Sequence, residues 1–377
     1  MRRVNRHSKP QPLPQRQGID AVSFTLPDAA AGEDTLGADT VLDYLVARFY
    51  PHERSLFTSR FERDEVKDAE GNSVAPTAPL VGQKIWYYRE MGTERPVPDD
   101  MPVLYEDEWV LAIDKPHFLP TTPNGSYVAH TALVKLRVRE NNPDLIPIHR
   151  LDRPTAGVVL FAKTPEARAP LQTMFERRAL AKTYEAVAAP IAGLDGAPLV
   201  AGQGMTVRSR IDKAHGALQV TQTSFERLAA DAAPLVTETK AERRERRRSG
   251  AAYTGLNAQS LIICLARYWL GEVPVGAGVL PQVSTANPDL VLPQPGAQLA
   301  HYLLEPQTGK THQLRVHLAA AGAAIAGDVV YPQVLPHADD EPALPLQLLA
   351  RSLAFTHPMT GQELTIRSQR TLALAPR

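Results

Sequence analysis

A single cysteine, Cys264, stands in this chain of 377 residues, so no internal disulfide and no cysteine-based zinc centre can form. Its flanks, Leu261-Ile262-Ile263 and Leu265, suggest an inert buried thiol. No run of 18 apolar residues occurs, and the first residues carry charge without an apolar segment behind them. Neither a membrane span nor a secretory signal is therefore expected, which points to a cytoplasmic protein. Excess charge is missing too: 41 basic residues face 41 acidic ones, with a pI near 7.2. A nucleic-acid binder draws much of its affinity from neutralising phosphates, so such a function requires the charge to be patterned. It is patterned. Arg2, Arg3, Arg6, Lys9 and Arg16 all precede the first acidic residue, Asp20, and a second basic cluster runs from Lys240 to Arg248. Both are also compatible with solvated tails or loops.

What is there in quantity is apolar side chain, at 44% of residues, enough for a substantial core in one large and one small domain. The most informative stretch is His149-Arg150-Leu151-Asp152-Arg153-Pro154-Thr155-Ala156-Gly157. It sets one carboxylate between two guanidinium groups just before Val158-Val159-Leu160-Phe161-Ala162, a run that reads as a buried strand. An opposite charge within about 4 to 6 Å favours an ionised carboxylate, and the strand would fix Asp152 at the lip of a core. Taken alone, an Arg-x-Asp-Arg loop is equally the signature of an ordinary turn salt bridge.

Two further segments carry chemistry. Lys182 to Ala188 alternates as a half-buried strand, presenting Tyr184 on the face it shares with Lys182 and Ala186. Later, Pro306 and Gly309 mark a turn, Thr311 is a plausible N-cap, and Leu314, Leu318 and Ala321 lie at helical spacing before Gly322. That helix puts Arg315 in its first turn. His312 and His317 are five residues apart, unlike the i, i+4 histidines of a zinc hydrolase, so no metal is expected.

The runs HRLDRPTAGVVLFAK, KTYEAVA, TGKTHQLRVHLAAAGAAIAGDVVY and LLARSLAFTHPMTG, in that order, resemble the RluA branch of the RNA pseudouridine synthases. The resemblance covers roughly residues 101 to 230 and 299 to 367. It implies an α+β fold with a mixed, largely antiparallel sheet, flanking helices and the cleft across its middle. It implies isomerisation of uridine to pseudouridine in RNA, ribosomal RNA first and transfer RNA as the alternative, with no cofactor. Asp152 becomes the essential catalytic residue, Tyr184 the ring that stacks on the base and takes part in proton transfer, and Arg315 the partner of the catalytic carboxylate. Arg150 would fill the gap left by the flipped base, and His149, Leu151, Lys182 and Leu314, in the same segments, are candidate substrate-binding residues. Two departures stand out: Ala156 where serine is usual, and Pro332 where glycine is common. A catalytically silent RNA-binding module is the competing reading.

Along the chain, residues 1–18 form a Pro/Gln/Arg-rich tail expected to be disordered. Residues 19–98 make a small N-terminal α/β unit, with an amphipathic helix at 39–49 and a strand at 81–88, faintly similar to the RNA-binding domain often fused ahead of this catalytic fold. Glu65 to Gly71 is a poor match to that domain's usual basic, glycine-containing turn. The catalytic domain is expected over 99–377, opening with strands at 103–106 and 109–116 and a helix over 165–178, with strands at 218–225 and 301–304. Residues 231–298 read as a surface insertion within it, and the protein as a monomer.

Overall fold

The computed structural model describes residues 12–49, 53–89, 94–214, 216–238, 240–250, 253–271, 293–336 and 344–376. They divide into two compact units, the first Met1–Pro96 with Thr122–Leu145, the second Val97–Thr121 with Ile146–Arg377. The stretch from Thr122 to Leu145, expected to lie inside an unbroken catalytic domain, thus belongs with the N-terminal residues. No helix among the described residues is long and apolar enough to cross a membrane.

In the first unit, strands β1 (Val22–Thr25), β2 (Val66–Lys67) and β3 (Lys84–Tyr87) form an antiparallel sheet in the order β1-β3-β2. Helix α1 (Val41–Phe49) buries Val41, Leu42 and Leu45, the spacing of its apolar residues, beside helix α2 (Arg54–Glu62). Helix α3 (Ala132–Arg139) starts at Thr131, whose hydroxyl accepts the Val134 N–H at 3.3 Å. Residues 12–18 are not a loose tail. Leu13 is buried, the Tyr88 hydroxyl donates to the Pro14 carbonyl at 2.6 Å, and Arg16 pairs with Glu65 and lies 4.4 Å from the Tyr88 ring centre. Arg2, Arg3, Arg6 and Lys9 fall outside the described residues.

The second unit is built on an eleven-stranded sheet of β4 (Val103–Glu106), β5 (Val110–Lys115), β6 (Ile146–Pro147), β7 (Ala156–Ala162), β8 (Ala181–Ala188), β9 (Gly204–Asp212), β10 (Thr221–Ala229), β11 (Ala258–Trp269), β12 (Gln298–Pro306), β13 (Leu348–Thr356) and β14 (Glu363–Arg367). Its path runs β10-β9-β11-β12-β8-β13-β7-β5-β4, with β14 on β13 and β6 on β7. Every described pairing is antiparallel except that of β13 with β7. Helices α4 (Pro165–Glu176), α5 (Lys240–Ser249) and α6 (Gln313–Ala320) accompany the sheet. α4 is capped by Thr164 with Pro165 in its first turn, and buries Leu171 and Met174 against β7. α6 sends Leu314 and Leu318 into a core with Met205, Ile262 and Tyr302 of β9, β11 and β12.

Residues 231–298 are not a surface insertion throughout. Residues 258–269 form β11, hydrogen-bonded between β9 and β12, with Ile262 and Cys264 fully buried. The basic cluster 240–248 forms most of α5.

The junction of β7 and β13 positions the site. Leu349 pairs with Ala156 and Ala350 with Gly157, while Ala350 also pairs with Tyr184 of β8. Gly157 has φ +115°, and a Cβ there would collide with the Ala350 carbonyl oxygen. Glycine alone lets the strand come this close, which sets the loop carrying Asp152 across from Tyr184.

Candidate active site

Asp152 sits on the loop between β6 and β7, its side chain 32% exposed. Both neighbours of that residue are pinned from behind. The Leu151 N–H donates to the Thr121 hydroxyl at 3.2 Å, and that hydroxyl donates back to the Leu151 carbonyl at 2.8 Å. The Arg153 carbonyl accepts from the Lys115 ammonium at 3.3 Å, which also donates to the carbonyls of Leu119 at 2.8 Å and Pro116 at 2.9 Å. Lys115 is fully buried. Burial pulls its ammonium down to about 7, against an upward pull from Asp152. Nothing in the sequence around Lys115 announced this role; it ends an apolar strand before a proline.

Arg315, 3% exposed, arrives from the first turn of α6. Its principal partner is Asp328: Nε donates to Oδ2 at 2.8 Å and Nη2 to Oδ1 at 2.6 Å, a two-point pairing of fixed geometry. Asp328 Oδ1 also accepts the N–H groups of Val330 and Tyr331 at 2.9 and 3.1 Å. To Asp152 the approach is longer, Nη1 to Oδ2 at 3.5 Å. The expected pairing of Arg315 with the Asp152 carboxylate is therefore a looser charge contact behind a tight one. Burial alone would lower the guanidinium pKa, but the hydrogen bonds and charge of Asp328, aided by Asp152, hold it above the ordinary value.

The helix cap differs from the expectation. His312, not Thr311, is the N-cap, with φ 55° and ψ 15°, and its side chain caps nothing. Instead His312 Nε2 lies 3.7 Å from Asp152 Oδ2, and Nδ1 lies 3.0 Å from the Tyr331 hydroxyl. The turn before it is held by Gln313, whose Oε1 accepts from the Thr308 hydroxyl at 2.7 Å and the Lys310 N–H at 3.1 Å.

Tyr184 is half-buried on β8. Burial pushes its phenol pKa upward and the Asp152 charge adds to this, so the hydroxyl stays protonated across the neutral range. Lys182, on the same strand, donates to the Thr308 carbonyl at 3.4 Å, and burial with the nearby Arg178 pulls its ammonium down to about 8. Arg150 is exposed.

Three of the residues expected to touch substrate are held by the interior of the fold. The His149 ring stacks on Phe175 of α4 at 4.9 Å and its Nε2 accepts the Leu160 N–H at 3.2 Å, so burial drives its pKa down to about 3. Leu151 and Leu314 are buried, the latter in the core beneath α6. His317 is fully buried between the hydroxyls of Ser209 and Ser260, at 2.9 and 3.0 Å. Among the described residues no group of three or more histidines, cysteines or carboxylates is placed to hold a metal ion.

A carboxylate with one oxygen facing a buried cation, partly open to solvent and near a protonated phenol, is suited to nucleophilic attack or proton abstraction at an uncharged carbon. A family model described as RNA pseudouridylate synthase matches residues 109–320. An uncharacterized RNA pseudouridine synthase of Synechocystis is 35% identical over 151 residues, 40% of this chain and about half, 52%, of that protein's length. The dual-specificity RNA pseudouridine synthase RluA of Salmonella typhi is 26% identical over 74% of this chain and 98% of its own. The tRNA pseudouridine synthase C of Vibrio vulnificus is 25% identical over 71% and 89%. Among solved structures, human RNA pseudouridylate synthase domain containing 1 aligns over 74% of this chain and 86% of its own, at 18% identity and a TM-score of 0.46.

Proposed function

This chain belongs to the RNA pseudouridylate synthase family, of the RluA type, and on that premise we propose that Asp152 is the carboxylate through which it converts uridines of structured RNA to pseudouridine. The observation that carries the reading is the placement of Asp152: on a loop clamped on both sides, 3.5 Å from the buried Arg315 and across the β7–β13–β8 junction from Tyr184.

The reaction breaks the bond between N1 of uracil and C1′ of the ribose, turns the base, and joins C5 to the same C1′; the proton on C5 is then lost to water and N1 gains one. Electrons balance within the nucleotide. Asp152 serves it by attacking C1′ as N1 leaves and being displaced when C5 bonds there, or by taking the C2′ proton as N1 leaves and returning it when C5 bonds to C1′. Tyr184 offers its ring to the extruded uracil, and base–aromatic stacking contributes about 1 to 3 kcal/mol. That offsets part of the few kcal/mol that extrusion costs. Arg150, exposed on the same loop, would stack where the base has left.

Ribosomal RNA is the substrate class we assign. Transfer RNA is the second reading, favoured by the likeness to a tRNA pseudouridine synthase over 71% of the chain. RNA binding by the N-terminal unit, a monomeric state and a cytoplasmic location complete the proposal. The test is release of tritium from RNA labelled at C5 of uracil, offered as ribosomal and as transfer RNA transcripts. Release from ribosomal transcripts supports the assignment, release from transfer RNA alone moves it to the second reading, and RNA binding without release from either would leave a silent binding module.

A further inference from the structure

We propose that His312 is a positioning residue for Asp152, an Nε2–H donor that closes on Oδ2 and turns Oδ1 toward the ribose. The proposal deepens the functional reading above and rests on Asp152 being the reacting carboxylate. Three observations meet here. The first is conformational. His312 lies at φ 55°, a left-handed geometry that strains a side-chain-bearing residue and suits glycine or asparagine better. A bare need for that backbone shape would be met more cheaply without an imidazole. Nor does the side chain cap α6, the usual use of this position.

The second is the tautomer that the hydrogen bonds accommodate. The Val220 N–H donates to the Tyr331 hydroxyl at 2.9 Å. That hydroxyl keeps its own hydrogen to give to His312 Nδ1 at 3.0 Å, the arrangement that leaves the imidazole proton on Nε2, the atom facing Asp152. The Tyr331 ring meets the imidazole edge-on at 5.6 Å and fixes its plane.

The third is which oxygen is engaged. Both Arg315 Nη1, at 3.5 Å, and His312 Nε2, at 3.7 Å, converge on Oδ2. Oδ2 is the nearer carboxylate oxygen to both groups. The two distances are beyond hydrogen-bond length, as catalytic contacts often are before substrate arrives. Closure by about half an ångström would fix the carboxylate's rotation with Oδ1 outward. The groups facing His312 are Asp152 from the loop before β7, Lys213 from the end of β9, Arg315 from α6, and Asp328 and Tyr331 beyond it. Burial keeps the imidazole neutral; Asp152 and Asp328 oppose this while Arg315 and Lys213 reinforce it. It therefore offers Asp152 a hydrogen bond rather than a second full cation.

The experiment compares kcat and KM for His312→Gln, His312→Phe and His312→Gly on one RNA, with thermal stability measured for each. Glutamine places an amide N–H near Nε2, phenylalanine keeps only the ring shape, and glycine relieves the backbone strain. The phenylalanine and glycine variants should each lose about 10-fold or more in kcat with KM nearly unchanged, while glutamine recovers most of it. Glycine should be no less stable than the parent. Phenylalanine or glycine within about twofold of wild type in kcat, or glutamine no better than glycine, would overturn the proposal. Asp152→Asn is run beside them. Turnover in that variant would overturn the reading of Asp152 itself, whereas an inactive Asp152→Asn next to a fully active His312→Phe would remove only the role of His312.

Discussion

The first unit and the neighbourhood of Asp152 handle charge differently: among the described residues the first unit buries the cations Arg60 and Arg137 but no carboxylate, whereas the second buries cations and carboxylates together. In the first unit the interior is aromatic: Phe24, Phe49, Phe57 and Tyr87 pack with centroids 5.2 to 6.4 Å apart. Its ion pairs are mainly superficial, such as Arg54 with Asp43 at 2.7 Å, side chains 57% and 40% exposed. Around Asp152 the charges are inside. Lys115, Arg315 and Asp328 are all buried, each satisfied by carbonyls, backbone N–H groups or one another. Burying charge costs several kcal/mol per ion even when paired, and the catalytic unit carries that cost where a carboxylate must be held in a set place.

The contrast can be broken by removing one partner at a time. The largest effect should come from Asp328→Ala, which leaves the Arg315 guanidinium buried without its two-point acceptor. Stability should fall by about 3 to 5 kcal/mol in urea unfolding, with turnover lost as Arg315 shifts. A loss under about 1 kcal/mol would mean that Arg315 finds another partner.

Lys115→Met should cost less, since a similar volume is kept and three carbonyls lose one donor. Its pH dependence is more telling. The ammonium has a pKa near 10.5 when unfolded and about 7 in the fold, so between these values the unfolded chain holds more of this proton. Unfolding free energy should therefore rise with pH across that window in the wild type relative to Lys115→Met, by up to about 1.4 kcal/mol per pH unit. Parallel curves would place the wild-type ammonium's folded pKa near its unfolded one. At the small end, Arg54→Ala on the first unit should change stability by under about 1 kcal/mol and leave turnover untouched. A larger change there would erase the distinction.

The sequence revealed what local pattern controls. The apolar run of β7, the strand around Tyr184, the Pro165 start of α4 and the amphipathic spacing of α1 each appear where periodicity and caps put them, though burial along the Tyr184 strand does not alternate. β10 begins at Thr221 rather than Leu218. What was not legible depends on partners distant in the chain. β11 hid between a charge run and proline-rich residues, because only its pairing with β9 and β12 distinguishes it from an insertion. No local pattern singled out Asp328 as the anchor of Arg315. Lys115 read as a strand end and His312 as one of two histidines wrongly spaced for a metal, since their surroundings arise from carbonyls and a hydroxyl that the fold delivers. The contacts of His149 were equally hidden: it lies in a motif, and its ring stacks on Phe175 and accepts the Leu160 N–H, partners that the motif does not announce.

Asp152→Asn removes the charge of the reacting carboxylate while keeping its shape. Single-turnover isomerisation and RNA affinity should be measured on the same preparation. Turnover below about a hundredth of wild type, with affinity within a few fold, is the predicted result. Turnover that survives, or that falls only in step with affinity, would contradict it.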